Sequence, residues 1–181
     1  MLVAKQVADL ITTTRALLAF WLAWLGITGG EASLPTAVWL LILNWMGDAL
    51  DGTLARRSSR QYHTWIGDHD LEVDILVSAG LLFYMLGAGF VDIRLLGAYA
   101  LIFILIFWYW GFQRSLGMLV QAPIYGWFIW VSIQNDPSDG IWLVIWVLAV
   151  VILTWPRFPN QIVPGFLTGM KEVVNLRRKN Q

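Results

Sequence analysis

Six of the twelve acidic residues of this 181-residue chain fall between positions 48 and 74: Asp48, Asp51, Asp68, Asp70, Glu72 and Asp74. Arg56, Arg57 and Arg60 stand among them. At about 100° per residue, a helix through this segment puts Asp48, Asp51, Gly52, Ala55 and Arg56 within an arc of roughly 140°. That face carries two carboxylates, two very small residues that let a flat group approach the backbone, and one guanidinium. On a following helix Asp70 and Asp74 are four apart and stack on one face, while Asp68 and Glu72 point elsewhere. Four carboxylates brought to one point repel each other unless cations offset the charge. An all-oxygen donor set suits Mg²⁺, Mn²⁺ or Ca²⁺ rather than zinc. Two such ions can clamp a phosphate and activate an oxygen nucleophile, and the neighbouring arginines can hold further phosphates through bidentate hydrogen bonds.

The elements that must hold these groups are apolar. The hydrophobic fraction is 58% and charged residues are 13%, against about 25% charged in a soluble domain. Lys+Arg and Asp+Glu balance at 12 each, which excludes a nucleic-acid binder working through a bulk basic field. The absence of cysteine excludes a disulfide scaffold, a cysteine zinc site and thiol catalysis. Twelve Trp fit the aromatic belts of a membrane protein. Six apolar stretches, 10–28, 35–53, 70–91, 94–112, 116–134 and 140–157, read as membrane helices, the fifth with a kink expected at Pro123. The apolar part of the first, Ala16–Ile27, has the length of a signal-peptide core. Asp9, the Thr12–Thr14 run, Trp21 and Trp24 favour a retained span. The expected fold is therefore an all-α polytopic bundle of six transmembrane helices, one domain over residues 1–181.

Six spans put both termini on one side. The termini and the connections after spans two and four carry Lys5, Arg15, Arg56, Arg57, Arg60, Arg114, Arg157, Lys171, Arg177, Arg178 and Lys179. The opposite side carries Arg94 alone. Basic residues mark the cytoplasmic side, so both termini are expected there. The basic tail, 158–181, has apolar residues interleaved from Met170 to Asn180. It reads either as a short amphipathic helix on an anionic membrane surface or as a solvated, topology-setting end.

At the acidic segment the chain resembles the CDP-alcohol phosphotransferases. Their signature runs D-x-x-D-G-x-x-A-R and, after a short loop, G-x-x-x-D-x-x-x-D. Asp48, Asp51, Gly52, Ala55 and Arg56 match the first half, and Asp70 and Asp74 match the closing pair. Gly67 stands one place later than the second glycine of the pattern, where Ile66 would be expected to be glycine. A looser N-x-x-T-x-x-R feature of the first span appears as Asp9, Thr12 and Arg15. The family's six helices, with the motif across spans two and three, agree with the map above, and the size resembles its small phosphatidylglycerophosphate-synthase-like members.

The resemblance implies a transferase of phospholipid biosynthesis. It would move a phosphatidyl or other substituted phosphoryl group from a CDP-linked lipid such as CDP-diacylglycerol to an alcohol acceptor, phosphorylated or not, and release CMP. Asp48, Asp51, Asp70 and Asp74 would hold two Mg²⁺ or Mn²⁺ ions, with Asp74 also the general base. Gly52, Ala55 and Arg56, with Thr12 as a weaker candidate, would bind the CDP group. It further implies a homodimer in the cell membrane, the inner membrane in a bacterium, with its active site toward the cytoplasm. Arg57, Arg60 and Arg114 are candidates for a phosphate on the acceptor. His63 and His69 read as solvated loop residues, and Asp68 and Glu72 as partners of Arg60 or of the N-terminus of span three. Two other readings use the same residues. A divalent-cation carrier would need its site near the midplane, open to both sides, whereas these acids sit at helix ends. A catalytically inactive relative would bind CDP-lipid without turnover.

Overall fold

The structure, a computed structural model, describes residues 4–57 and 69–179; within the helices the side chains of residues 4–5, 51–57, 70 and 176–179 are outside the described set. The described residues are helical, with no strand among them. Among the described residues seven α-helices follow in order: α1 Ala4–Gly29, α2 Leu34–Arg57, α3 Asp70–Gly87, α4 Ile93–Trp110, α5 Arg114–Asn135, α6 Pro137–Leu153 and α7 Val163–Lys179. Each of the six apolar stretches falls on one of α1–α6. In an apolar medium a helix satisfies its own backbone polar groups, so long apolar runs resolve into helices wherever they are not interrupted. The interruptions are short and chemically marked. Asp92 caps α4 by accepting the Arg94 N–H at 2.7 Å. Asp136 caps α6 by accepting the Asp139 N–H, and Pro137 opens that helix, where its missing N–H costs nothing. The Ser138 hydroxyl and the Asp139 N–H also hold the Asp136 carboxyl below the usual carboxylate range.

Some boundaries differ from the sequence reading. α2 runs on to Arg57, so the motif from Asp48 to Arg56 lies on continuous helix. α3 ends at Gly87 rather than at 91, and α6 ends at Leu153 rather than at 157. α5 continues through Pro123 from Arg114 to Asn135.

Among the described residues, three helical stretches are long and apolar enough to cross a membrane: Gln6–Leu50, Ile93–Trp110 and Arg114–Asn135. A fourth counts if the pair Pro137–Leu153 and Phe158–Asn175, bent by 82°, is taken as one span. The first stretch is 45 residues long, about twice what one crossing needs. It takes in α1, a 3-10 turn at Gly30–Ser33 and α2. The chain reverses at that turn, because Arg15 in α1 meets Asp48 in α2. α3 falls short of the same description because Asp70, Glu72 and Asp74 crowd its first turns; from Ile75 onward it carries no charge.

The core lies among α1, α2, α3, α5 and α6. Leu22, Leu41, Val77, Leu81, Tyr84, Phe128 and Leu143 are fully buried there. Small residues set how closely the helices approach. Gly26 lies against the backbone of Tyr84, where an added Cβ would come within 2.5 Å of its carbonyl oxygen. Gly87 lies against the backbone of Gly26, and Gly80 against that of Ala19. Small residues at such seams are how membrane helices gain packing energy without a hydrophobic drive. The pairing order, Arg15–Asp74, Ala19–Gly80 and Gly26–Gly87, makes α1 and α3 parallel. α5 follows α3 in the same sense, through Gly117 against Leu71 and Phe128 against Tyr84. Gly140 packs on Ser132 and Ile133, which turns α6 back along α5. α4 stands at the periphery with no buried residue and touches α5 through the Tyr99 hydroxyl, which donates to the Val120 carbonyl. Outward faces carry large apolar side chains such as Leu17, Phe20, Trp24, Ile104 and Trp108. An apolar surface on that scale fits a membrane protein rather than one facing water.

Candidate functional site

The Arg15 side chain is 3% exposed and reaches two carboxylates on two other helices. It pairs with Asp48 of α2 at 3.0 Å and with Asp74 of α3 through Nη2. Asp48 is half-exposed and Asp74 about one-third exposed. Asp48 is the first aspartate of the first half-motif and Asp74 the last of the second, so one guanidinium joins the two halves. Gly47 makes room for it: a Cβ there would press on Cγ and Cδ of Arg15 and on Ile11 at 3.3 Å. Tyr125 of α5 lies within electrostatic range of Asp74, Arg15 and Asp48 and packs edge-on against Trp45 at 5.4 Å. Four helices therefore converge on one charged point at one end of the bundle.

The other expected residues distribute around it. Thr12, one turn before Arg15, is buried, and its hydroxyl donates to the Ala8 carbonyl at 3.1 Å. Asp51, Gly52, Ala55, Arg56 and Arg57 lie on the last turns of α2, and Asp70 opens α3; the side chains of these six are outside the described residues. Arg60, His63, Gly67 and Asp68 lie outside the described residues altogether. Glu72 is exposed, as its angle relative to Asp74 required, and His69 stands at the N-cap of α3. Arg114 begins α5 and is exposed. It comes to the same end as Asp74, since Gly117, less than one turn on, packs on Leu71. Among the described residues no three His, Cys, Asp or Glu side chains gather as a metal-binding group; Asp48 and Asp74 are the two of the four motif aspartates whose side chains are described.

Sequence reasoning counted Arg15 among the cytoplasmic basic residues and in the looser first-span feature with Asp9 and Thr12, without giving it a partner, and passed over Tyr125 and Asn44. Asn44 lies one turn before Asp48, is 1% exposed, and its Oδ1 has no hydrogen-bond partner among the described residues. A polar residue buried in an apolar run was the available signal for Asn44. For Arg15 the signal was its spacing from Asp9 and Thr12 in the looser first-span feature. Nothing in the sequence sets Tyr125 apart from the other aromatic residues.

Two adjoining apolar cavities, of about 240 and 260 Å³, run between α3, α4 and α5. They share Leu82, Leu96, Tyr99 and Ile124, and the second begins at Ile75, the residue after Asp74. The second cavity thus lies next to the charged end, and the first lies farther along the same helices.

Arg15→Ala should lower stability by about 3 kcal/mol, the low end for removing one partner of a buried ion pair, because water can reach the carboxylates left behind. Arg15→Lys should fall between the two, since a single ammonium cannot fork across two carboxylates. Thermal unfolding of the detergent-purified variants checks both; an Arg15→Ala protein as stable as the parent would remove the pairing from the account. No protein-family model, curated protein or solved structure matches the chain.

Proposed function

We propose that this protein is an integral-membrane transferase that moves a phosphatidyl or related substituted phosphoryl group from a CDP-linked lipid to an alcohol and releases CMP. The observation that carries this reading is the joining of Asp48 and Asp74, from two helices, on one buried cation. Two carboxylates that share a guanidinium already form a site suited to positive charge, and their hard oxygen donors fit Mg²⁺ or Mn²⁺. Asp48, Asp51, Asp70 and Asp74 would hold two such ions, which when bound supply charge neutralisation on the pyrophosphate. The protein's own groups do the rest. Gly52 and Ala55 leave space for the cytosine ring, Thr12 borders it, and Arg56 binds phosphate oxygens. Asp74 accepts the proton of the acceptor hydroxyl, the acceptor oxygen bonds to the lipid-linked phosphorus, and the bond to CMP breaks. Arg57, Arg60 and Arg114 would fork onto a phosphate of a phosphorylated acceptor. The apolar cavity that begins at Ile75 supports a lipid donor, because its lining suits an acyl chain beside the charged end.

The same reading takes α1–α6 as six spans with both termini and the acidic end in the cytoplasm. Alternating helix directions and the one-sided basic residues support it. The test is CMP release by the purified full chain, with CDP-diacylglycerol and a panel of alcohols, with and without Mg²⁺, and mass spectrometry of the lipid product. Mg²⁺-dependent CMP and a new phosphodiester are expected. Binding of CDP-lipid without CMP release from any acceptor would leave a binding protein, and cation flux without lipid binding would leave a carrier.

A further inference from the structure

The C-terminal helix carries a second feature, which rests on the membrane reading but not on the transferase chemistry. The sequence placed the start of an amphipathic segment near Met170; the helix begins at Val163 and runs to Lys179. Pro156 stands in the turn after α6, and Phe158–Asn175 leaves at 82° to Pro137–Leu153. α6 is aligned with the bundle through Gly140 on Ser132, so α7 lies across the bundle's end rather than along it. That end is the acidic one: Gly169 packs directly on Ser115, beside Arg114.

The apolar residues of α7 divide by exposure. Val173 is buried at 3%, on the side turned to the bundle. Val163, Leu167 and Val174 are 39%, 52% and 63% exposed, and at about 100° per residue they fall within roughly 40° of each other. They form a ridge that no part of the described chain covers. Lys171, on its flank, is exposed, and the helix carries Lys171, Arg177, Arg178 and Lys179 against Glu172 alone.

We infer that α7 is an interfacial helix that docks on the anionic lipid headgroup layer beside the acidic site. A helix at right angles to the spanning helices, at their end, lies at headgroup depth. Its apolar ridge enters the acyl boundary while its basic residues meet anionic headgroups. A net-neutral protein with a cationic helix at this one end holds its carboxylates next to lipids that would otherwise repel them.

The full chain has no cysteine, so single cysteines at Leu167, Val174, Thr168 and Glu172 can carry nitroxide or bimane labels without a background. The probes are vesicles of phosphatidylcholine alone or mixed with phosphatidylglycerol. Nitroxides at 167 and 174 should favour oxygen over a water-soluble nickel chelate, and those at 168 and 172 the reverse. Brominated phosphatidylglycerol should quench bimane at 174 more than brominated phosphatidylcholine, and Lys171→Gln should reduce that preference about fivefold. The inference is overturned if labels at 167 and 174 are as open to the nickel chelate as those at 172. It is equally overturned if they are shielded from both reagents, as a protein partner or a second copy would cause. None of these readouts requires turnover, so failure here is separable from failure of the transferase assay.

Discussion

Asp48→Asn should reduce CMP release at least a thousandfold. Asp48 sits at the junction of α1, α2 and α3, half-exposed and 3.0 Å from Arg15. In the proposed site it contributes both an oxygen donor and a full negative charge. An amide keeps the shape but loses the charge, and charge stabilisation by a two-ion clamp is worth several kcal/mol; about 4 kcal/mol corresponds to roughly a thousandfold in rate. The fold should survive, because Asp74 still pairs with the buried guanidinium. A detergent-purified Asp48→Asn protein should therefore unfold within a few degrees of the parent while its Mg²⁺-dependent turnover disappears. Glu72→Gln is the matched control: it is exposed on the far side of α3 from Asp74 and should keep most activity. Near-normal turnover in folded Asp48→Asn would remove the carboxylate cluster from the chemistry.

A single methyl group, in Gly80→Ala, is expected to lower stability as much as the loss of the Arg15 guanidinium. A Cβ at position 80 would overlap the carbonyl oxygen of Ala19 and come within 2.9 Å of its carbonyl carbon. These are backbone atoms of a neighbouring helix, so no side-chain rotation relieves the overlap, and α1 and α3 must part along their length. Overpacking of well-packed interiors costs about 1–3 kcal/mol, and the rigid neighbour puts this site at about 3 kcal/mol. The seam that opens is the one that brings Arg15 to Asp74, so turnover should fall together with stability. Gly97→Ala on α4 is the contrast, since a Cβ there meets nothing within 4 Å; its unfolding temperature should hold or rise slightly, as alanine favours helix over glycine. Equal unfolding temperatures for Gly80→Ala and the parent would mean that the α1–α3 seam does not pack as described.

Much of this molecule was legible from the chain alone, because the relevant physics is local. An apolar run must satisfy its own backbone groups, so the six stretches mark α1–α6, with ends that differ by up to six residues, as at the start of α1. Helical periodicity places Asp48 on one face with Gly52 and Ala55, and sends Glu72 away from Asp74. What the tertiary structure decided was which faces meet. Arg15 lies 59 positions from Asp74 in sequence, and a basic residue at the start of an apolar helix satisfies a topology rule whether or not it has a partner. Only the close approach of Ala19 to Gly80 and of Gly26 to Gly87, in parallel register, shows that its guanidinium is enclosed between two carboxylates. The direction of α7 is likewise absent from its own amphipathic pattern. Periodicity tells a helix which side is apolar, but it carries no information about the angle at which the turn after α6 releases it, and that angle sets whether the ridge of Val163, Leu167 and Val174 meets protein or the membrane surface.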